Sequence, residues 1–194
     1  EMTATWIEDI IVPNGDDYLF WIDNFFENPN VNISATDGYS IALFGHYLSN
    51  IIADDDTNII KRMWESYSIN NSPFLSMNTV LENDYNINFQ KTWADFCSRN
   101  FFNGQYQDMN NNIYYHIDQR DILPLASFSV SLSNPQLINE NLLINDLILT
   151  NLSSDHIAFQ VDDFAKITLE HNPSNSFEGF ISIISEEGSN LNQH

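Results

Sequence analysis

The stretch Glu1-Met-Thr-Ala-Thr-Trp-Ile-Glu-Asp9 opens the chain and decides how its fold is interpreted. Apolar residues recur near helical spacing through this stretch, and Pro13-Asn14-Gly15 ends the pattern, so a helix is predicted over Met2–Val12. On such a helix Glu1, Thr5 and Glu8 share one face, and Asp9 lies within the same two turns. An acidic helix is therefore the first candidate for chemistry.

Further helical patterns fill the rest of the first 120 residues. Ser72-Pro73 is typical of a helix start, with serine as the N-cap and proline at the first helical position. Cys97 falls on the apolar face of its helix and is predicted to be a core residue rather than a nucleophile. The predicted helices are Asp16–Asn28, Gly38–Ala53, Asn58–Tyr67, Phe74–Glu82 and Phe89–Asn103.

The pattern changes near Asp121–Pro124, after which short segments alternate apolar and polar residues between Asn, Ser, Pro and Asp turns. This pattern predicts a small antiparallel β-sandwich or sheet. We therefore predict an α+β protein with an all-α segment over residues 1–120 and a β-module over residues 121–194. The predicted strands are Phe128–Leu132, Leu142–Leu149, Ile157–Val161, Ala165–Leu169 and Phe180–Ile184.

The composition limits the classes of partner. Among 194 residues, 27 acidic side chains face 6 basic ones, giving a formal net charge of −21. Such a surface repels nucleic-acid phosphates, so a nucleic-acid partner is not expected. No apolar run approaches the roughly 20 residues of a membrane-spanning helix, so no transmembrane segment is expected. With Cys97 as the only cysteine, an intrachain disulfide is impossible.

The opening helix resembles the second zinc-binding helix of gluzincin peptidases, and in particular a family of secreted bacterial metallopeptidases with an "E-x-T-A-T-W-x-E-D" helix. Four further segments resemble that family in the same order, so the likeness covers about 100 residues. They are Tyr18-Leu-Phe-Trp-Ile-Asp-Asn-Phe-Phe-Glu-Asn-Pro29, Tyr39-Ser-Ile-Ala-Leu-Phe-Gly-His-Tyr-Leu48, Ile59-Ile-Lys-Arg-Met-Trp-Glu65, and Trp93-Ala-Asp-Phe96 with Phe101-Phe-Asn-Gly104.

The resemblance implies a role for particular residues. Glu1 matches the third zinc ligand, and Glu8 and Asp9 match acids that orient the ligands or the helix. Tyr39 and His46, on a following helix, are candidates for stabilising an oxyanion. The alternative interpretations are an exposed acid for Glu1, a tyrosine at the edge of the core for Tyr39 and an ordinary helix histidine for His46.

The chain departs from the family at one decisive point. None of its five histidines forms the His-Glu-x-x-His motif that supplies two zinc ligands and the general base. Because the chain also begins at Glu1 inside a predicted helix, we expect it to be part of a longer protein. An upstream segment of the same protein would have to supply this motif, and without it the chain is expected to be inactive.

Calcium is a second metal to consider. Asp54-Asp-Asp-Thr-Asn58 with Glu65 matches the acidic positions of a calcium loop, and Asp54 and Asp56 are the candidate ligands. Ile59 replaces the glycine that such a loop requires, and the same residues form a good helix start. Asn14–Asp17 and Asp162-Asp163 are acidic turns of the same kind.

Two functions therefore follow. The first is part of a secreted or cell-surface bacterial zinc metallopeptidase, in which zinc-activated water hydrolyses peptide bonds of a peptide or protein substrate. The second is a non-catalytic extracellular surface or assembly protein that keeps the peptidase-like scaffold. It would associate through its acidic surface and through strand addition at its β-module, as a homo-oligomer or in a larger assembly.

Overall fold

The computed structural model describes residues 1–12, 15 and 17–100, the segment 153–155, and the backbone of four short strands between residues 136 and 193. Every α-helix in this description lies within the first 100 residues, and that part contains no strand, so its predicted all-α character is confirmed. The helices are α1 (Met2–Ile11), α2 (Ile22–Glu27), α3 (Ala42–Tyr47), α4 (Asn58–Asn70), α5 (Pro73–Tyr85) and α6 (Phe89–Asn100).

The segment predicted as one helix over Asp16–Asn28 contains two shorter pieces. A 3₁₀ turn, Asp17–Phe20, comes first and α2 follows after Trp21. The turn buries Tyr18 almost completely, whereas Phe20, two residues further on, is 82% exposed. The break therefore lets this short stretch place a tyrosine ring in the core.

The segment predicted as a helix over Gly38–Ala53 also changes form along its length. α3 passes into one turn of π-helix, Leu48–Ile52, and the Ala53 N–H donates to the Leu48 carbonyl. The Ser49 hydroxyl donates toward the carbonyls of Gly45 and His46. A hydroxyl that competes for helix carbonyls disturbs regular α-helical bonding, which gives a physical reason for the widened turn.

α4 and α5 form a hairpin and extend about one turn beyond their predicted ends. Asn71 and Asn86 close the two helices in the left-handed conformation, which asparagine tolerates well. Ser72 caps α5 as predicted, since its hydroxyl accepts from the Leu75 N–H and Pro73 occupies the first turn.

The core is built largely from aromatic rings. Phe44 of α3 lies at its centre, with ring centroids 5.0 Å from Phe96 and 5.3 Å from Trp93 of α6. Phe25 of α2 stacks on Phe96 at 5.8 Å. These contacts join three helices that are distant in sequence, and aromatic pairs at such distances add to the stabilisation gained by burial.

Beyond residue 100 the described backbone forms two short antiparallel pairs. β1 (Gln136–Ile138) pairs with β2 (Asn141–Leu143), and β3 (Ser182–Ile183) pairs with β4 (Asn192–Gln193). The predicted strands Leu142–Leu149 and Phe180–Ile184 overlap β2 and β3. The other three predicted strands and the predicted boundary at Asp121–Pro124 lie outside the described residues.

Among the residues that the structure describes, no helix combines the length and the apolar character needed to cross a lipid bilayer.

Candidate functional site

α1 has one buried face and one exposed face. Thr5, Trp6 and Asp9 point into the protein, with exposed fractions of 3%, 3% and 6%. Glu1, Ala4 and Glu8 are exposed. Spacings of three and four residues place these three on one stripe of the helix surface. The structure therefore separates Thr5 from the two glutamates with which the sequence grouped it.

The exposed face of α1 is also apolar. Ile7, Ile10 and Ile11 are 39%, 38% and 71% exposed and occupy neighbouring positions on the helix. They lie beside the stripe of Glu1, Ala4 and Glu8. α1 therefore presents two carboxylates next to an isoleucine surface.

Glu1 stands at the N-cap position of α1. Its backbone carbonyl accepts the Thr5 N–H at 3.0 Å and the Thr5 hydroxyl at 3.3 Å. Gly38 lies so close that a Cβ there would come within 2.6 Å of the Glu1 Cβ. The backbone of Glu1 is thus fixed by its own helix and by the chain that precedes α3.

Asp9 and His46 meet in the protein interior. The Asp9 Oδ2 lies 3.1 Å from the His46 Nε2, with side chains only 4% and 3% exposed respectively. The ring of Tyr18 packs on the imidazole at 5.2 Å between centroids. Two residues that the resemblance gave separate roles therefore form one buried acid–imidazole contact between α1 and α3.

Gly45 explains how α1 and α3 approach closely enough for this contact. A Cβ at Gly45 would lie 2.7 Å from the Trp6 Cγ, closer than two carbon atoms tolerate. The missing side chain leaves space for the indole, which is 3% exposed. Gly45 and His46 are neighbours, so one short stretch of α3 supplies both the space and the polar partner for α1. Gly45 was not singled out from the sequence, although a glycine inside an apolar helix often marks a place where another element packs closely against that helix.

Tyr39 lies in a different environment from His46. It is 39% exposed, and its ring packs against that of Trp21 at 5.3 Å between centroids, with the ring planes tilted by 32°. His46 is 2% exposed. Of the two oxyanion candidates, only Tyr39 is therefore open to solvent.

Asp54 and Asp56 lie in the loop before α4. Asp54 and Asp55 have φ angles of 51° and 66°, a region in which aspartate is tolerated better than most residues. Asp56 accepts the Asn58 N–H at 2.9 Å and contacts the Arg62 guanidinium at 3.1 Å. The hydrogen bonds from Asn58 and Arg62 lower the pKa of the Asp56 carboxyl. Asp56 therefore serves as a helix-start acceptor and as an ion-pair partner.

A second buried polar contact escaped the sequence analysis. Tyr47 is fully buried, and its hydroxyl donates to the Asp95 Oδ2 at 2.7 Å. The Arg99 Nε donates to the same oxygen at 2.7 Å. Burial, together with the charge of Asp95, raises the pKa of the Tyr47 phenol, so it is a neutral donor. The spacing of Asp95 and Arg99 on a predicted helix was the available signal.

Cys97 lies in the core as predicted, with 4% of its surface exposed. Burial raises the pKa of its thiol to about 12. Because the thiolate is the reactive form, the thiol is unreactive near neutral pH, which agrees with a structural role.

The described residues do not by themselves fit a catalytic zinc ion. In this part of the chain no three His, Cys, Asp or Glu side chains group closely enough to hold a metal. Catalytic zinc sites take three protein ligands, and Glu1 is a single carboxylate. If Glu1 binds zinc, the remaining ligands come from elsewhere.

Comparisons with known protein families, curated proteins and solved structures found no match to this chain.

Proposed function

We propose that residues 1–120 are the second half of a gluzincin-like zinc metallopeptidase domain. In this proposal Glu1 is one zinc ligand, and a helix outside residues 1–194 carries His-Glu-x-x-His. Residues 121–194 form an antiparallel β-module, a sandwich or sheet, appended to that domain. The assembled protein hydrolyses peptide bonds in a peptide or protein substrate, and it is a secreted or surface protein of a bacterium.

The exposed face of α1 is the observation that supports this proposal best. A ligand helix needs one face anchored in the domain and the other turned toward the metal and the neighbouring helix. α1 buries Trp6 and Asp9, and it exposes Glu1 together with the isoleucines at positions 7, 10 and 11. Ala4, between Glu1 and Glu8 on the exposed stripe, would let a second helix approach closely.

The contacts of α1 support distinct roles for the matched acids. Asp9 faces the interior and holds α1 against α3 through His46, so it fixes the direction of the helix that carries Glu1. Glu8 is exposed on the same stripe as Glu1 and could bond to a ligand supplied by the missing helix. Tyr39 is exposed and is the better candidate for an oxyanion donor, whereas His46 is assigned to holding Asp9.

The test requires the full-length protein from its native source, with all residues upstream of Glu1. We expect that sequence to contain His-Glu-x-x-His and the purified protein to carry one zinc ion per chain. Glu1→Gln keeps the size of the side chain but removes the carboxylate charge, and it is expected to abolish both zinc binding and peptidase activity.

Glu82→Gln is the matched control, because it makes the same change at an exposed position of α5, a helix that has no part in the proposed zinc site. It should keep the zinc stoichiometry of the wild type. Full zinc content in Glu1→Gln would refute the ligand assignment. An upstream sequence without His-Glu-x-x-His would refute the enzyme proposal as a whole.

A second candidate is the non-catalytic assembly protein, and the same exposed isoleucine face favours it. An apolar surface beside acidic residues suits a protein partner as well as it suits a helix of the same chain. In that case the protein should form oligomers or copurify with a partner. A monomeric mass at high concentration, measured by sedimentation equilibrium, would count against it.

A further inference from the structure

The last turn of α6 is buried on nearly all sides. Four of the last five residues of α6 are buried: Phe96, Cys97, Ser98 and Asn100 are between 0% and 8% exposed. The side chain of Arg99 is 14% exposed. Because a helix has 3.6 residues per turn, the side chains of five consecutive residues point in all directions around its axis. At the other end of α6, Gln90 and Lys91 are exposed.

Residues 153–155 contact this part of the molecule. The Ser154 N–H donates to the Pro29 carbonyl at 2.8 Å, just beyond the end of α2. The Ser154 hydroxyl donates to the same carbonyl at 3.4 Å. It also lies close enough to the Cys97 thiol of α6 to lower the pKa of that thiol, against the larger, opposite effect of burial. All three residues of the segment are half-buried, and Pro29 is buried. One serine therefore bridges α6 and the loop after α2.

We propose that residues 153–155 are a docking segment that fastens the C-terminal part of the chain to the helical part, in a site formed by Pro29 and the last turn of α6. The partner of this surface is a segment of the same chain. It is recognised through hydrogen bonds from the Ser154 N–H and hydroxyl to the Pro29 carbonyl, with the hydroxyl beside the Cys97 thiol. Residues 153–155 are then held to the helical part by this contact as well as by their connection in sequence. This inference is independent of the proposed function.

The lone cysteine gives a direct test in the full chain. In Ser154→Cys, the new thiol replaces a hydroxyl that lies beside the Cys97 thiol, so docking of the segment brings the two sulfurs together. With oxidised glutathione as the oxidant, the two thiols give up two protons and two electrons, and an intrachain disulfide forms. Ser68→Cys is the matched control, since Ser68 is exposed on α4 and its hydroxyl bonds only within its own helix.

We expect the intrachain disulfide in Ser154→Cys to form at least about tenfold faster than in Ser68→Cys, because its formation requires a short Cα–Cα distance. Mass spectrometry of the tryptic peptides would identify the bond. Equal and slow formation in the two variants, with helical circular dichroism intact, would overturn the proposal.

A second measurement avoids the new cysteine. Ser154→Arg places a long side chain between Pro29 and Cys97, and Ser68→Arg adds the same side chain on exposed α4. We expect the reaction of Cys97 with an aromatic disulfide reagent to accelerate at least about tenfold only in Ser154→Arg, because access limits a buried thiol. Loss of helical signal in Ser154→Arg but not in Ser68→Arg would also support docking. A Cys97 that is equally protected in both variants would show that the helices alone bury it.

Discussion

α1 and α4 are both held to a neighbouring helix by carboxylates paired with basic side chains, but the two contacts differ in their surroundings. The Asp9–His46 contact between α1 and α3 is 3–4% exposed. The Arg62 contacts of the α4–α5 hairpin, with Asp56 and Asp84, involve side chains that are 34–41% exposed. Arg62 also donates to the Tyr85 hydroxyl and packs over its ring.

Burial determines how much stability is lost when such a contact is broken. In the interior, water cannot take the place of a lost polar partner, so the energetic cost is larger. Near the surface, water and salt replace much of a lost ion pair. The α1–α3 contact is therefore expected to determine where α1 points, while the hairpin contacts adjust the stability of a fold that would form without them.

The largest expected effect is at His46. His46→Leu keeps a similar volume but removes the imidazole that contacts the buried Asp9 side chain, and we expect it to lower the free energy of unfolding by about 3 kcal/mol. Urea denaturation followed by circular dichroism measures the change. The double variant Asp9→Leu with His46→Leu should recover a substantial part of the loss. A single-variant cost no greater than that of Arg62→Met would remove the distinction between the two regions.

The next effect tests the close approach of α1 and α3. A Cβ at Gly45 would lie 2.7 Å from the Trp6 Cγ, so Gly45→Ala should destabilise the protein by about 1–3 kcal/mol despite the better helix propensity of alanine. The penalty should shrink in a Trp6→Leu background, which frees space at the contact. If the destabilisations caused by Gly45→Ala and Trp6→Leu simply add in the double variant, Trp6 is not the residue that excludes a side chain at position 45.

A smaller effect is expected at Arg62. Arg62→Met keeps much of the aliphatic stem and removes the charge, and we expect a loss of at most about 1 kcal/mol. The loss should decrease further in 1 M salt, where the Debye length is about 3 Å. The His46→Leu penalty, in contrast, should change little with salt. Equal salt dependence of the two penalties would contradict the assignment of one contact to the interior and the other to the surface.

The smallest effect concerns acid stability. Because hydrogen bonds from Asn58 and Arg62 lower the pKa of Asp56 below 3.8 in the folded state, its carboxylate contributes stability above that pH. This contribution is lost as the pH falls through the folded-state pKa. The advantage of the wild type over Asp56→Asn should therefore be present at pH 5 and should decrease as the pH is lowered below 3.8. An advantage that does not decrease with falling pH would mean that charge at Asp56 is not its source.

Local features of the fold were accessible from the sequence because they depend on neighbouring residues. Ser72-Pro73 marked the start of α5, and the helical spacing of apolar residues located α1, α4 and α6. The ends of α4 and α5 were predicted about one turn too early, because the left-handed caps that close these helices, Asn71 and Asn86, lie beyond the predicted ends. The π-helical turn after α3 depends on the hydrogen bonds of Ser49, which periodicity does not reveal.

The candidate site was likewise only partly predictable from the sequence. Glu1, Glu8, Asp9, Tyr39 and His46 could be named from motif resemblance, but which of them meet was not visible. The exposed fractions of Tyr39 and His46 proved opposite, although both lie within one short motif. Contacts of this kind depend on how two helices pack against each other, and a single sequence does not report that.

The opening stretch by itself determined that α1 exists, that it carries an acidic stripe, and that a gluzincin-like role is the hypothesis to test. Helix propensity and side-chain periodicity act over a few residues, so they can be read directly from the chain. Only the tertiary structure decided that Asp9 turns inward to His46, that Gly45 leaves room for Trp6, and that Ser154 lies against Cys97. Each of these pairs joins residues far apart in sequence, and packing brings them together once the helices are in place.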